Sequence, residues 1–502
     1  MNGATRAWGR SRAVGGGALP CSGYARPARR VRGAATANIA RRRAVREIQA
    51  CAPPPPARRR VTPPAAFEDP PVHHSRSAAP RALALAGLLA VLPLHSVVAQ
   101  DDAALVARAR AIHDRVMTLD THVDINPGNF QAAGPNYATK LPRTQVDLVK
   151  MEEGGLDAAF LIAYVGQSPD LTPEGFARAY ASAMEKFEAV RRLTAEIAPD
   201  RAGLALTAAD ARRIYASGRK VIFIGIENGF PVGSDITNVR KFHELGGRYM
   251  SLAHNGHSQL SDSNTGERDG VWLHGGLSPL GREVIAEMNR VGIMIDISHP
   301  SKQSMMQTLE LTRAPIIASH SGVRAICNHS RNLDDEQLQG MKRNGGVVQA
   351  VAFNSYVKCN AERTAAREQA IADLRAEFGI TGRRQAEVTE QLSALPEARR
   401  NAYLSRQEDI TARRYPADPA ATVSDFVDHI DYIVKLIGVD HVGISSDFDG
   451  GGGVEGWRSA SETFNVTLEL VRRGYSEGDI AKIWSGNLLR VLEQVEKVAA
   501  AS

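Results

Sequence analysis

The stretch Leu119-Asp120-Thr121-His122-Val123-Asp124-Ile125-Asn126 combines Leu, Val and Ile with a His-x-Asp pair. It predicts a short buried strand, on which side chains two residues apart point to the same side. His122 and Asp124 would then project together, and an imidazole beside a carboxylate suits a divalent cation such as zinc. Taken alone, such a pair is more often a surface histidine beside a helix-capping aspartate. Its meaning therefore depends on what lies at the ends of the later strands.

Seven further runs of apolar and β-branched residues follow, and segments with helical periodicity separate them. Near-continuous apolar runs of this length are typical of strands that are covered on both faces. Eight such strands alternating with helices predict a (β/α)8 barrel of the TIM type, in the α/β class. The predicted strands are 119–126, 158–166, 221–229, 248–255, 292–299, 314–321, 346–353 and 441–448.

One charged segment interrupts the alternation. Residues 361–421 are rich in Arg, Glu and Ala, and we predict that they form a helical insertion on the surface, between strands seven and eight. No Pro/Gly/Ser-rich linker divides residues 100–502, which we therefore expect to form one barrel domain. The last predicted helix, 479–497, has apolar residues at helical spacing and is expected to pack on the barrel. It lacks the long apolar tail of a lipid-anchor signal, so we expect no stable membrane anchor.

The first 99 residues differ in composition from the rest of the chain. They carry 16 Arg and no Lys against three acidic residues, a net charge of +13. Clusters of Pro and Ala interrupt any helical period, and such a segment buries too little apolar surface to offset its ordering entropy. We therefore predict that residues 1–99 are a disordered basic segment that ends in a targeting signal.

That signal has the three parts of a secretory signal peptide. Arg81 precedes an apolar h-region at 82–94, and Val97-Val98-Ala99 follows as a small-residue cleavage site. The run is shorter than the ~20 residues of a membrane span. We predict cleavage near Ala99 and export to the periplasm or the medium. Because a leader normally begins its chain, we also expect translation to start near Val72.

Removing the leader changes the charge balance. From Gln100 onward there are 45 basic and 52 acidic residues, a net charge of −7. A mildly acidic chain offers no electrostatic reason to bind a polyanion, and we expect no nucleic-acid partner. Only Cys327 and Cys359 remain after cleavage. In an exported protein such a pair is more often a disulfide than two buried thiols, although the second alternative stays open.

Chemically active side chains lie at the ends of six predicted strands. In a barrel of this type the C-terminal strand ends meet at one face, where the active site forms. Glu227 alone could be a helix cap, His299 a core histidine and Asp447 a turn former. It is improbable that all six strands end in such residues by chance. For the remaining histidines we expect structural or solvated roles. The candidate residues are His122, Asp124, Glu227, His254, His299, His320 and Asp447.

The number of these side chains indicates two metal ions rather than one. Three His, two Asp and one Glu exceed the needs of a single cation. Two divalent cations about 3.5–4 Å apart require a bridging carboxylate. Glu227, in the middle of the barrel, is the natural candidate, because each of its oxygens can contact one ion.

Eight short motifs in this order resemble the membrane (renal) dipeptidase family, zinc peptidases of the amidohydrolase superfamily. The resemblance extends from about Leu119 to Val495, apart from the insertion. The motifs are Thr121-His122-Val123-Asp124, Gly225-Ile226-Glu227-Asn228-Gly229, Leu252-Ala253-His254-Asn255, Gly276-Leu277-Ser278-Pro279-Leu280-Gly281, Ile295-Asp296-Ile297-Ser298-His299, Ser319-His320-Ser321, Ser330-Arg331-Asn332-Leu333-Asp334-Asp335 and Ser446-Asp447-Phe448-Asp449-Gly450.

The resemblance implies two zinc ions per chain. One would be held by His122, Asp124, Glu227 and Asp447, and the second by Glu227, His299 and His320. It further implies that His254 faces the scissile carbonyl and that Arg331 receives the C-terminal carboxylate of the substrate.

The resemblance also implies a Cys327–Cys359 disulfide and a homodimer. Two features of the mammalian members have no counterpart in this sequence, namely a second disulfide and the lipid anchor.

The sequence thus predicts a binuclear zinc dipeptidase that hydrolyses dipeptides by a metal-activated hydroxide. Glu227, His254 and Asp447 are the predicted catalytic residues, and His254, Arg331 and Asp447 are predicted to bind the substrate. The nearest alternative is another amidohydrolase, such as a deacetylase or a lactonase. Many binuclear members of that superfamily carry a carboxylated lysine at the end of strand four, where this chain has His254. A non-catalytic binding protein of the same fold is less well supported, because it would be expected to have lost a ligand.

Overall fold

The computed structural model describes residues 95–166, 171–382 and 385–502 of the chain. Residues 1–94 of the predicted basic segment, which include the h-region of the predicted signal peptide, lie outside these residues. The predicted cleavage position near Ala99 falls within the first helix, His95–His113.

Nine strands form one sheet. Eight of them correspond to the eight predicted strands, and the three-residue β3 is too short to be recognised from its sequence. The strands are β1 Leu119–Asp124, β2 Ala158–Tyr164, β3 Ala202–Leu204, β4 Lys220–Glu227, β5 Gly247–Ser251, β6 Met294–Asp296, β7 Ile317–Ser321, β8 Val347–Val351 and β9 Val442–Ser445.

Eight strands pair in parallel with their neighbours in the order β1-β2-β4-β5-β6-β7-β8-β9. The ninth, β3, pairs only with β4 and lies outside this order. Two backbone hydrogen bonds join the ends of β9 and β1, from Asp447 N to His122 O at 3.1 Å and from Asp124 N to Phe448 O at 2.9 Å. The predicted (β/α)8 barrel is therefore confirmed.

Helices surround the barrel. Many begin at a Ser, Thr or Asp whose side chain accepts a hydrogen bond from the backbone N–H three residues later, as at Thr172, Ser278 and Asp334. They are α1 His95–His113, α2 Leu148–Gly154, α3 Pro173–Arg192, α4 Ala208–Ala216, α5 Thr237–Glu244, α6 Gly266–Asp269, α7 Pro279–Val291, α8 Lys302–Leu311, α9 Asp335–Asn344, α10 Asn354–Val357, α11 Ala361–Glu377, α12 Gln385–Ala394, α13 Glu397–Glu408, α14 Val423–Ile437, α15 Phe464–Arg472, α16 Glu477–Ala481 and α17 Asn487–Ala500.

The segment predicted as an insertion contains α11, α12 and α13, between β8 and β9. These helices have an apolar cluster of their own, separate from the barrel core. Its buried members are Leu374, Ile380, Val388, Tyr403 and Ile410.

Alternation along the strands separates the barrel interior from the layer beneath the helices. On β4, Ile222, Ile224 and Ile226 belong to one apolar cluster, whereas Val221 and Phe223 belong to a second cluster that also includes Phe160 of β2 and Tyr249 of β5. Because side chains alternate along a strand, Glu227 lies on the side of Val221 and Phe223, towards the barrel axis.

Within the described part of the chain, none of the helices combines the length and the apolar character needed to cross a bilayer.

Candidate active site

The six predicted metal ligands lie together at the C-terminal end of the barrel, with the carboxylate of Glu227 at their centre. One oxygen, Oε2, is 3.5 Å from His122 Nε2. The other, Oε1, is 2.9 Å from His299 Nε2 and 3.3 Å from His320 Nε2. The two oxygens of one buried side chain thus face two different groups of imidazoles.

Asp124 and Asp447 complete the side of the site around His122. Its Nε2 is 3.7 Å from Asp124 Oδ2 and 4.0 Å from Asp447 Oδ1. A side chain at Gly450 would collide with both acids, because its Cβ would lie 2.3 Å from Asp124 Oδ2 and 2.4 Å from Asp447 Oδ1. Glycine therefore leaves the space into which the two carboxylates converge.

Local backbone features direct these side chains inwards. The register of β1 against β2 shifts between Asp120 and Val123, a bulge of the kind that redirects a side chain. His299 and Asp447 have φ values of 78° and 59°, in the left-handed region that residues other than glycine seldom adopt. Such strain is common at functional sites, where the surrounding structure maintains it.

Most of the predicted strands end earlier than the sequence indicated, and three of them stop before the candidate residue assigned to their end. β5 stops at Ser251, β6 at Asp296 and β9 at Ser445, so that His254, His299 and Asp447 lie in the loops just beyond them. Apolar composition continues past the ends of β5 and β6 and does not mark where strand pairing stops.

Hydrogen bonds to the Nδ1 atoms indicate which ring nitrogens face the centre as acceptors. The Tyr249 hydroxyl donates to Thr121 O at 3.0 Å and lies 2.8 Å from His122 Nδ1, so it accepts a hydrogen bond from the N–H of that nitrogen. Gly225 permits this contact, because a Cβ there would lie 2.3 Å from the Tyr249 ring. His122 therefore presents the lone pair of Nε2 to the site.

The same logic applies to the other two imidazoles. Ser319 Oγ donates to Asp296 Oδ2 at 2.7 Å, and it therefore accepts from His320 Nδ1 at 2.8 Å. His299 Nδ1 lies 3.1 Å from Asn255 Oδ1, an amide oxygen that accepts a hydrogen bond from it. Histidines that bind a metal usually donate their second ring N–H in this way.

These contacts leave acceptors without donors in the centre of the site. His122 Nε2 is buried and has no hydrogen-bond partner among the described residues. His299 Nε2 and His320 Nε2 are 3.0 Å apart, and two lone pairs at that distance repel unless a positive charge lies beside them. A cation bound by nitrogen and carboxylate oxygen fits this donor set, and zinc takes these ligands.

The pKa shifts point to the same demand for positive charge. Burial lowers the pKa of His299 and of His320 well below the usual value, so both are neutral ligands near pH 7. Burial also acts to lower the pKa of His122, but Glu227 and the neighbouring acids raise it well above normal. Burial, with repulsion from Asp124 and Glu227, raises the pKa of Asp447 to about 8. A divalent cation would satisfy these carboxylates.

Three overlapping groups of side chains have ligand atoms within 4.8 Å of one another. They are His122, Glu227 and His320; Glu227, His254 and His299; and His122, Asp124 and Asp447.

A cavity of about 860 Å³ opens above the cluster. His254 lies on its wall, with Nε2 3.8 Å from Glu227 Oε1 and its ring 4.9 Å from that of Tyr164. Arg331 also lines the cavity and is held by a hydrogen bond from Nη2 to His320 O at 3.1 Å. Its guanidinium lies over the Tyr356 ring, 5.4 Å from the centroid. The structure thus brings all three predicted substrate-binding residues, His254, Arg331 and Asp447, to the cavity above the six candidate metal ligands, which together form the metal cluster.

A disulfide anchors the loop that carries Arg331. Cys327 and Cys359 are bonded, with their Cα atoms 5.3 Å apart, so the alternative of two thiols does not apply. Asn332, next to Arg331, donates from Nδ2 to Cys327 O at 2.9 Å and to Tyr356 O at 2.8 Å. The disulfide and the contact with Tyr356 O tie the loop to the segment after β8.

A sequence model of the membrane dipeptidase family, peptidase family M19, matches residues 106–502. The chain belongs to this family. Its class, a metallo-dipeptidase, is the one predicted from the motifs, and that prediction is confirmed.

Individual relatives agree with this membership. Dipeptidase aclJ of Aspergillus oryzae is 32% identical over 359 residues, which is 71% of each chain. The probable dipeptidase PvdM from Pseudomonas aeruginosa is similar in structure, with a TM-score of 0.67 and 33% identity over 79% of this chain and 100% of that one. A metallo peptidase from Rhodobacter sphaeroides, liganded with a phosphinate mimic of the dipeptide L-Ala-D-Ala, shares the fold at a TM-score of 0.57 and 21% identity, over 76% of this chain and 99% of that one.

Several residues at the site of this family member were not identified from the sequence. Tyr249, Asn255, Asp296 and Ser319 hold the imidazoles, and Lys186 lines the cavity. Asn255, Asp296 and Ser319 lie within the recognised motifs. Each is a polar residue close in sequence to a predicted site residue, and this could have indicated that it holds an imidazole. Lys186 lies on a helix far from any motif.

Two of the other histidines, His113 and His429, have the structural roles expected of them. His113 contacts Thr467 and Gly154 O, and His429 contacts Val357 O. They lie outside the metal cluster.

Replacing Tyr249 with Phe tests whether the Nδ1 contacts tune the metal site. The variant loses the hydroxyl that fixes His122, and we expect the affinity for Zn²⁺ to fall about 10- to 100-fold. Competition with a chromophoric chelator measures this. Tyr180→Phe, which removes a hydroxyl outside the site, is the control, and equal affinities for the two variants would contradict the prediction.

Proposed function

We propose that this protein is a binuclear zinc dipeptidase that hydrolyses the peptide bond of free dipeptides. One observation carries the proposal: Glu227 directs Oε2 to His122 and Oε1 to His299 and His320. A carboxylate placed in this way suits a bridge between two cations. Membership of the membrane dipeptidase family supports the substrate class.

The family resemblance divides the ligands into two sets, and the two oxygens of Glu227 support this division. His122, Asp124, Glu227 and Asp447 would hold one zinc ion, and Glu227, His299 and His320 the other. When bound, the pair would supply Lewis-acid polarisation of the scissile carbonyl and of the attacking water.

His254 is the residue that meets the carbonyl oxygen. It lies on the cavity wall beside Glu227 and His299, with its ring 4.2 Å from the His299 ring. Burial lowers the pKa of His254, an effect that Glu227 opposes and Arg331 adds to. A neutral imidazole donates one N–H. One such donor to a developing oxyanion often stabilises the transition state by about 2.7–4 kcal/mol.

Asp447 is the residue that carries the proton. It lies beside Asp124 and Glu227 and lines the cavity where water and substrate meet. In the proposed reaction it accepts a proton from the attacking water and delivers it to the leaving amine as the C–N bond breaks. The products are two free amino acids.

Arg331 explains why the substrate would be a dipeptide. Its guanidinium is bonded to the carbonyl of His320, itself a predicted ligand. A carboxylate bound by this planar fork is therefore only about one residue from the scissile bond. The C-terminal carboxylate of a longer peptide would lie too far from the metal cluster.

The alternatives are less well supported. A deacetylase or lactonase would not require a carboxylate-binding arginine beside the metal cluster, and the family is one of dipeptidases. A non-catalytic binding protein would not need a complete set of ligands.

We also propose export after cleavage near Ala99, from the apolar run at 82–94 and the residues that follow it. A homodimer remains a prediction from the family resemblance.

Removing the metal tests the proposed chemistry. We expect a chelator such as 1,10-phenanthroline to abolish hydrolysis of Ala-Ala, and added Zn²⁺ to restore it, because no other group at the site polarises the carbonyl as strongly. Amino-acid release is the measurement. Hydrolysis that persists in the metal-free protein would contradict the proposal.

Substitutions at Arg331 and Asp447 separate binding from turnover. Arg331→Ala removes charged hydrogen bonds worth about 1.5–3 kcal/mol, so we expect KM for dipeptides to rise about 10- to 100-fold with a small change in kcat. Asp447→Ala is expected to lower kcat at least about 100-fold. Steady-state kinetics on dipeptides and matched tripeptides provides the readout.

Arg331→Lys is the matched control, since it keeps the charge but loses the fork. If Arg331→Ala retained full efficiency and full preference for dipeptides over tripeptides, Arg331 would not bind the carboxylate.

A further inference from the structure

A second cationic side chain, Lys186, lines the active-site cavity but has no role in the reaction described above. It lies on α3 and is half-buried. Its ammonium donates to Tyr164 O at 2.6 Å and lies 5.0 Å from the centroid of the Tyr164 ring. Tyr164 is the last residue of β2, and its ring contacts that of His254. Lys186 is thus separated from the carbonyl-binding histidine by a single aromatic ring.

The ammonium of Lys186 has unused capacity to bind an anion. It has three N–H donors, one of which the Tyr164 carbonyl accepts. Among the described residues, no carboxylate lies within ion-pair distance of it. Burial lowers the pKa of Lys186, whereas Asp124 and Glu227 act in the opposite direction. Both of those acids belong to the metal cluster, so a half-buried lysine facing a cavity is left without a counter-ion of its own.

Lys186 and Arg331 flank the metal cluster from opposite sides. The ammonium of Lys186 lies at the end of β2, where it donates to Tyr164 O. Arg331 donates a hydrogen bond to the carbonyl of His320 on β7. Around the barrel, β2 and β7 are four strands apart in either direction. In an eight-stranded barrel, strands with this separation lie diametrically opposite each other. A substrate that crosses the cluster therefore meets a cation at each end.

We propose that the cavity selects dipeptides whose N-terminal residue has an acidic side chain, and that Lys186 binds that side-chain carboxylate. The inference rests on the proposed dipeptidase function, in which Arg331 holds the C-terminal carboxylate. The C-terminal residue then lies between Arg331 and the scissile bond, and the N-terminal residue extends across the cluster towards β2. The flexible stem of a lysine allows its ammonium to turn from the Tyr164 carbonyl to a ligand.

One further cation supports this charge preference. Arg143 lines the same cavity, is exposed, and makes no ion pair among the described residues. Positive charge at the mouth of a cleft attracts an anionic substrate and raises its local concentration. Lys186 is thus proposed as a specificity-determining residue, since it contacts a part of the substrate that does not react.

The test compares L-Glu-L-Ala with L-Gln-L-Ala, two dipeptides of equal size that differ in one negative charge. Zinc-loaded wild-type protein should hydrolyse L-Glu-L-Ala with a kcat/KM at least about tenfold higher. In Lys186→Met, whose side chain keeps the apolar stem, the ratio should fall to within about threefold of one. Lys186→Arg should keep the preference. Arg178→Met removes an exposed cation of the same helix outside the cavity, and it should behave as the wild type does.

Each contrary outcome has a definite meaning. Equal kcat/KM values for the two dipeptides in the wild type would overturn this inference while leaving the dipeptidase function intact. A wild-type ratio in Lys186→Met would do the same, as would an equal loss on both substrates, which would indicate that Lys186 only supports Tyr164. Failure of the zinc-loaded wild type to hydrolyse any dipeptide would overturn the proposed function and this inference with it.

Discussion

A single buried carboxylate, that of Glu227, lies at the centre of the candidate active site, with one oxygen towards His122 and the other towards His299 and His320. Burying a charge is costly unless opposite charges surround it. Here the surrounding imidazoles come from β1, β7 and the loop after β6. Only a closed barrel brings the ends of these distant strands around one side chain. The site therefore exists only if the barrel closes.

The parts of this arrangement that follow a local pattern could be predicted. Eight strands covered on both faces have near-continuous apolar sequences, and the residues that end them define one face of the barrel. Glu227 was placed by its position at the end of the third predicted strand, and Arg331 by its motif. The disulfide between Cys327 and Cys359 was favoured by composition and family resemblance, and its position beside the Arg331 loop now gives it a physical role.

The parts that depend on contacts between distant elements could not be predicted in this way. β3 is too short to have a pattern, and the true ends of β5, β6 and β9 depend on where pairing with the neighbouring strand stops, which composition does not mark. Tyr249 reaches His122 only because Gly225 leaves room for its ring. Lys186 enters the cavity from the outer layer of helices, so nothing in the sequence around it marks it as part of the site.

The central claim is that Glu227 joins two cations. The most direct measurement is anomalous diffraction at the zinc edge from crystals of the zinc-loaded protein. The account predicts two peaks about 3.5–4 Å apart, each in contact with a different oxygen of Glu227. A single peak, or two peaks of which one does not touch Glu227, would contradict it.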